Sequence, residues 1–106
     1  MRVYLKKPRC GVYAEGEYDL DTGHLMVKEG ARVSLDVRKY KGRLYDRIIM
    51  ERKDVIKDGI LIKDLEFNSP SGAGVFVTGR STNGLRAWRD EKGRNLNQVL
   101  GRDEFI

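Results

Sequence analysis

NSPSGAGVFVTGRSTNGLRAWRDEKGRNLNQVL, residues 68–100, carries three local signals end to end. Ser69-Pro70-Ser71 is a helix opener: Ser69 can accept from free backbone N–H groups, and Pro70 suits the first helical position, where a missing N–H costs nothing. The glycines that follow and the run Val75-Phe76-Val77-Thr78 pull the other way, so propensity alone leaves this segment open between helix and strand. Next comes a polar loop, Gly79-Arg80-Ser81-Thr82-Asn83-Gly84, with left-handed backbone expected at its glycines and Asn83-Gly84 as a turn dipeptide. Leu85-Arg86-Ala87-Trp88-Arg89 then alternates. Leu85, Ala87 and Arg89 fall on one face, and Arg86 and Trp88 on the other, which predicts a closing strand over 85–89. Lys92-Gly93 turns the chain towards a short apolar segment, Leu96, Val99 and Leu100. Between residues 80 and 102 lie Arg80, Arg86, Arg89, Lys92, Arg94 and Arg102 against only Asp90 and Glu91.

Outward from this stretch, residues 1–9 predict a short strand on Val3 and Leu5 that ends in the basic cluster Lys6, Lys7 and Arg9. Pro8 removes a donor at that point. Residues 11–21 alternate, with Val12, Ala14, Gly16, Tyr18 and Leu20 on one face and Tyr13, Glu15, Glu17, Asp19 and Asp21 on the other. Asp21-Thr22-Gly23 turns the chain, and residues 24–28 return as the partner strand. A further strand is expected over residues 31–37, on Val33, Leu35 and Val37. After a basic loop at residues 38–43 the period changes. Leu44, Ile48, Ile49, Val55 and Ile56 recur at helical spacing, predicting one amphipathic helix over 43–57 with Asp58-Gly59 as its stop. Residues 60–67 follow as a strand.

At 106 residues there is room for one core, so a single domain over 1–106 is expected. Hydrophobic content of 40% beside 35% charged residues is ordinary for a globular chain. No apolar run approaches the ~18 residues of a membrane span, and the N-terminus lacks a signal-peptide apolar region, so the expectation is a cytoplasmic protein of bacterial type without membrane contact. Cys10 is the sole cysteine, which leaves no disulfide framework and no thiolate metal site. The net charge of +5 biases the chain towards anionic partners.

Ser69-Pro70-Ser71, Gly79-Arg80-Ser81, Asn83-Gly84 and Trp88 together resemble the "SPS…GRS-x-NG-W…W" core of an uncharacterised bacterial domain family. That family is often appended to GIY-YIG nucleases and restriction-modification proteins, and is similar to the restriction-enzyme adenine-methylase-associated domain. The likeness runs over roughly residues 10–100, with residues 14–30 resembling the family's first hairpin and residues 44–61 its "R…LI…GIL" helix. Leu85 stands where the family usually has an aromatic. With the Ser-Pro-Ser opening, the resemblance assigns a short helix to 69–79. It also implies a partner that is DNA, modified DNA included, or a nuclease or methylase protein.

Asp21-Thr22-Gly23 is the aspartic-protease triplet, and a homodimer could pair two such aspartates. Gly93-Arg94-Asn95-Leu96 resembles the late part of retroviral proteases. Those enzymes embed the triplet in apolar flanks, whereas Glu17, Asp19 and His24 flank it here, and Asp and Gly are what a hairpin turn uses. The acidic row Glu15, Glu17, Asp19 and Asp21 has the donors for a hard cation but lacks the calcium-loop pattern; a solvated sheet face accounts for it. His24, the sole histidine, has no nucleophile elbow to serve. No catalytic, metal or cofactor residue is assigned.

The candidate nucleic-acid site is Arg80, Ser81, Asn83, Arg86, Trp88 and Arg94. Arginine fits phosphate as a bidentate fork, the N-terminus of the Ser69 helix offers N–H groups to an anion, Asn83 suits an adenine edge, and Trp88 is a stacking surface. The alternative is that Ser69 caps, Asn83-Gly84 turns, Trp88 fills the core and the arginines are merely solvated. The residues alone leave both open, and leave the oligomeric state open too. Lys39, Lys41 and Arg43 are candidates to extend the patch. The expected architecture is α+β: an antiparallel or mixed sheet with an N-terminal hairpin, helices over 43–57 and 69–79, and a strand over 85–89. The expected function is a non-enzymatic module binding nucleic acid, duplex DNA above all. Docking on a nuclease or methylase is the alternative.

Overall fold

The computed structural model describes residues 1–37 and 43–101. Lys39, Lys41 and Arg102 lie outside the described residues. The elements are β1 (Arg2–Lys7), a 3₁₀ turn (Pro8–Cys10), β2 (Val12–Tyr18), β3 (Leu25–Val27), α1 (Arg43–Arg52), β4 (Ile56–Lys57), β5 (Ile60–Leu61), β6 (Leu65–Phe67), α2 (Pro70–Thr78), α3 (Gly84–Ala87) and α4 (Leu96–Val99). The α+β reading holds. A four-stranded antiparallel sheet of order β1-β2-β3-β6 accompanies a two-stranded β4-β5 ribbon. Among the described residues no helix is long and apolar enough to cross a membrane.

The β2 alternation places Val12, Ala14 and Tyr18 in the core, while Leu20, beyond the strand, is exposed. The turn after β2 is built by Asp19, whose Oδ1 accepts from the N–H of Asp21 at 2.8 Å and of Thr22 at 3.3 Å. Those hydrogen bonds hold the Asp19 carboxyl below its ordinary value. Asp21-Thr22-Gly23 is therefore a turn. The acidic row is occupied as well: Arg2 lies 3.7 Å from Glu15 and 3.3 Å from Glu17, and the terminal ammonium lies 3.4 Å from Glu17.

Four expectations are corrected. The helix expected over 43–57 ends at Arg52, because Asp54 takes a left-handed backbone (φ 65°). Asp58-Gly59, expected to stop that helix, turns the β4-β5 hairpin instead; φ is 53° and 78° at its two central residues, the positive pair that a two-residue hairpin turn requires. The strand expected over 31–37 shrinks to ladder contacts at Arg32, which bridges Tyr13 on one side and Ile60 on the other. The strand expected over 60–67 is two short strands, β5 and β6, in different sheets.

The helix α2 lies across the inner face of the sheet and is buried from Ala73 to Thr78, as its uniformly apolar composition demands. Phe76 meets Phe67 of β6 with ring centroids 5.1 Å apart. Its C-terminal carbonyls find an unusual donor. Arg52, at the end of α1, donates from Nε and Nη2 to the Phe76 carbonyl (3.0 and 2.7 Å), from Nη2 to Val77 (3.3 Å), and from Nη1 to Ser34 (2.7 Å). Burial pushes its pKa down to about 10, so the guanidinium stays charged at neutral pH. A cation at the negative end of a helix, donating to carbonyls that have no intrahelical partner, ties α1, α2 and the 31–37 segment together. Replacing Arg52 by Met keeps the stem but strands those carbonyls. The expected loss is about 2–3 kcal/mol, or roughly 10–20 °C in Tm. Thermal unfolding followed by circular dichroism checks it, and an unchanged Tm would contradict the assignment.

Candidate nucleic-acid interface

The helix-opening reading of Ser69 is right, and the neighbouring residues explain why the rest of the motif is there. Ser69 Oγ accepts from the Gly72 N–H at 3.1 Å, and Pro70 occupies the first turn. Ser71 Oγ accepts from the Gly84 N–H at 3.0 Å. The Trp88 indole N–H donates to the Pro70 carbonyl at 3.0 Å, and the indole is fully buried. Gly84 lies so close to α2 that a Cβ there would run into backbone atoms of Pro70 and Ser71. These contacts form a clamp between the first turn of α2 and α3.

The clamp overturns four expectations. Residues 84–87 are a helical turn rather than part of a strand; Gly84 and Trp88 sit four apart, so both face α2. Only Arg89, just past that turn, pairs in a ladder, with Tyr4 on one side and Asn95 on the other. Gly84 is needed for close approach, not for a left-handed turn. Trp88, sealed in the core, offers no stacking surface. The N-terminus of α2 is covered by Gly84 in the same way and is no anion site.

The loop between the helices is pinned from below. Gly79 caps α2 in a left-handed conformation (φ 74°), its N–H donating to Val75 at 2.9 Å. Thr78 Oγ1 lies 2.8 Å from the Gly74 carbonyl and 2.7 Å from Thr82 Oγ1, and Thr82 Oγ1 donates to the Arg80 carbonyl at 2.9 Å. With its backbone fixed, the loop leaves Ser81 and Asn83 exposed and Arg80 half-buried. Arg80, Ser81, Asn83 and Arg86 line one depression of about 310 Å³, and Lys7 of β1 joins them. Among the described residues, Lys7, Arg80 and Arg86 have no carboxylate partner, and the Asn83 amide makes no hydrogen bond.

Arg94 does not belong to this group. It holds Asp90 through Nε and Nη2, each 2.9 Å from Oδ2, and lines a separate depression with Met1, Arg2 and Lys92. Desolvation alone would raise the Asp90 carboxyl. Hydrogen bonds from Arg94 and from the Lys92 N–H overcome it and leave the pKa below the ordinary value. Arg43 is exposed at the start of α1 and lines none of the depressions that hold Arg80 or Arg86.

A second, larger groove of about 680 Å³ adjoins the first through their shared residues Lys7, Arg86 and Ala87. Tyr4, Lys6, Tyr13 and Arg89 line it, beside Asp90 and Glu91. These residues escaped the sequence reading. The Lys6-Lys7 cluster and the outward face of Tyr13 were visible, but nothing local says that β1 runs alongside residues 86–89. Among the described residues no three His, Cys, Asp or Glu side chains are grouped to hold a metal ion.

The family model described as Domain of unknown function (DUF4357) matches residues 3–100. The chain belongs to that family. No curated protein and no solved structure matches it. The DUF4357 match runs from within β1 to the residue after α4, so it spans the clamp and both groove walls. Within this DUF4357 domain the clamp makes a sharp forecast. Gly84→Ala costs about 3 kcal/mol or more, because backbone must move to admit the methyl. The exposed Ser81→Ala stays within about 0.5 kcal/mol. Urea unfolding of the two variants measures the difference, and equal midpoints would refute the clamp.

Proposed function

We propose that this domain binds nucleic acid without chemically altering it, and that duplex DNA is its main target. The observation that carries the reading is the convergence of Lys7, Arg80 and Arg86, none paired with a carboxylate among the described residues, around the free amide of Asn83. The three cations contact phosphates and supply affinity; Asn83, within the same depression, contacts a base edge. Ser81 adds a hydroxyl for a phosphate or sugar oxygen. The resemblance to restriction-associated modules supports the same target and a setting beside a nuclease or methylase, with adenine methylation as the mark to test. Arg94 is excluded from the contact set by its hold on Asp90, and Trp88 by its burial.

A second reading, docking on such an enzyme, draws on Ile49 and Met50, which are 46% and 73% exposed on α1. Mobility shifts on plain and adenine-methylated duplexes at rising salt separate the two. Three phosphate contacts predict a log–log slope of roughly −2.7. Arg80→Glu with Arg86→Glu abolishes the shift, whereas Arg94→Gln leaves it in place. No shift at low salt, or a flat salt response, defeats the first reading; capture of a partner enzyme undisturbed by the double charge reversal favours the second.

A further inference from the structure

The outer face of the sheet holds a second set of groups, brought together by strand register alone. Side chains two apart on a strand share a face, and residues directly opposed on antiparallel strands share it too. Tyr4 and Lys6 are two apart on β1, and Lys6 is directly opposite Tyr13 of β2. The ladder continues beyond both strands: Tyr4 bridges Arg89, and Tyr13 bridges Arg32. Arg89, Tyr4, Lys6, Tyr13 and Arg32 therefore occupy one face. The Lys6 ammonium lies 5.3 Å from the Tyr4 ring centroid and 5.6 Å from that of Tyr13. Tyr13 is 45% exposed, and Arg32 and Arg89 are exposed at the two ends.

We infer that Tyr4 and Tyr13 form a stacking platform for the bases of an unpaired nucleic-acid strand, with Lys6, Arg89 and Arg32 meeting its phosphates. This rests on the nucleic-acid reading above and adds to the duplex a second form of ligand, an unpaired strand beside it. A duplex hides the faces of its bases, so rings standing on a sheet face reach only bases that are already unstacked. The two tyrosines are diagonal neighbours across the strand pair, about 7–8 Å apart at the backbone. That distance suits successive splayed nucleotides. Asp90 and Glu91 also line this groove, but Asp90 is held by Arg94. The carboxylates of Glu15 and Glu17 on the same face are occupied by Arg2 and the terminal ammonium. Desolvation first, then Glu91 and Glu15, raise the Tyr4 pKa, so its phenol stays neutral. The basic depression around Arg80 and Arg86 shares Lys7, Arg86 and Ala87 with the groove at the platform, which sets the two side by side for a strand leaving a duplex end or junction.

Fluorescence anisotropy with the whole chain tests it, using a labelled single strand of about a dozen nucleotides and the matching duplex at low salt. The variants are Tyr4→Leu, which keeps a strand-compatible apolar side chain, and Tyr13→Ser, which alters a side chain already in solvent. Each is expected to lower single-strand affinity roughly tenfold, and to lower the ratio of single-strand to duplex affinity with it. Duplex binding that depends on Arg80 and Arg86, together with single-strand binding indifferent to both tyrosines, overturns the platform and leaves the duplex reading standing. Failure of the native chain to bind either probe overturns both.

Discussion

The carbonyl of Pro70, the hydroxyl of Ser71 and the missing side chain of Gly84 together fix how α3 sits on the first turn of α2. A helix as apolar as α2 must be covered along its whole length. The sheet covers one side, through Phe67 and the inner faces of β2 and β3. The first turn is covered by α3, brought to backbone contact at Gly84 and held by the buried Trp88 N–H. At the other end, Arg52 serves the last carbonyls. Both ends of α2, capped locally by Ser69 and Gly79, are thus also held by residues outside the helix, and the loop between α2 and α3 has little freedom left. Functional side chains on such a loop are held in place by scaffold rather than by their own contacts.

That rigidity gives the charge distribution its meaning. Some of the domain's charges are paired: Arg2 with Glu17, Lys28 with Asp64, Arg94 with Asp90. Around the α2-α3 loop and the β1 end the unpaired cations are gathered about shared depressions. Lys6, Lys7, Arg80 and Arg86 lack carboxylate partners among the described residues while neighbouring one another. Neighbouring cations without counter-charges are the arrangement that attracts a polyanion.

Much of this was legible from local chemistry. Ser69-Pro70 announced α2 because a cap and a first-turn proline act within four residues. The β2 alternation and the Asp19-to-Gly23 turn were readable for the same reason. The strand through Trp88 was misread because Leu85, Ala87 and Arg89 happen to alternate; the spacing that mattered was Gly84 to Trp88, four residues on one helical face. Asp58-Gly59 was misread because the same dipeptide ends helices and turns hairpins. Arg52 gave no signal at all, since its partners are backbone carbonyls, which every residue has. The split of the arginines was equally hidden. Arg94 finds Asp90 only because Lys92-Gly93 folds the chain back, and Lys7 reaches Arg86 only through the pairing of Tyr4 with Arg89.

The central claim is that the clamp presents Lys7, Arg80, Asn83 and Arg86 as one nucleic-acid-binding surface. Backbone amide chemical shifts, followed while unlabelled DNA is added to isotopically labelled protein, test it residue by residue. The account predicts that the shifts cluster at Lys7 and in residues 80–86, fade with added salt, and spare α1 and the Arg94 turn. Shifts concentrated around Ile49 and Met50, or no response anywhere, would contradict it.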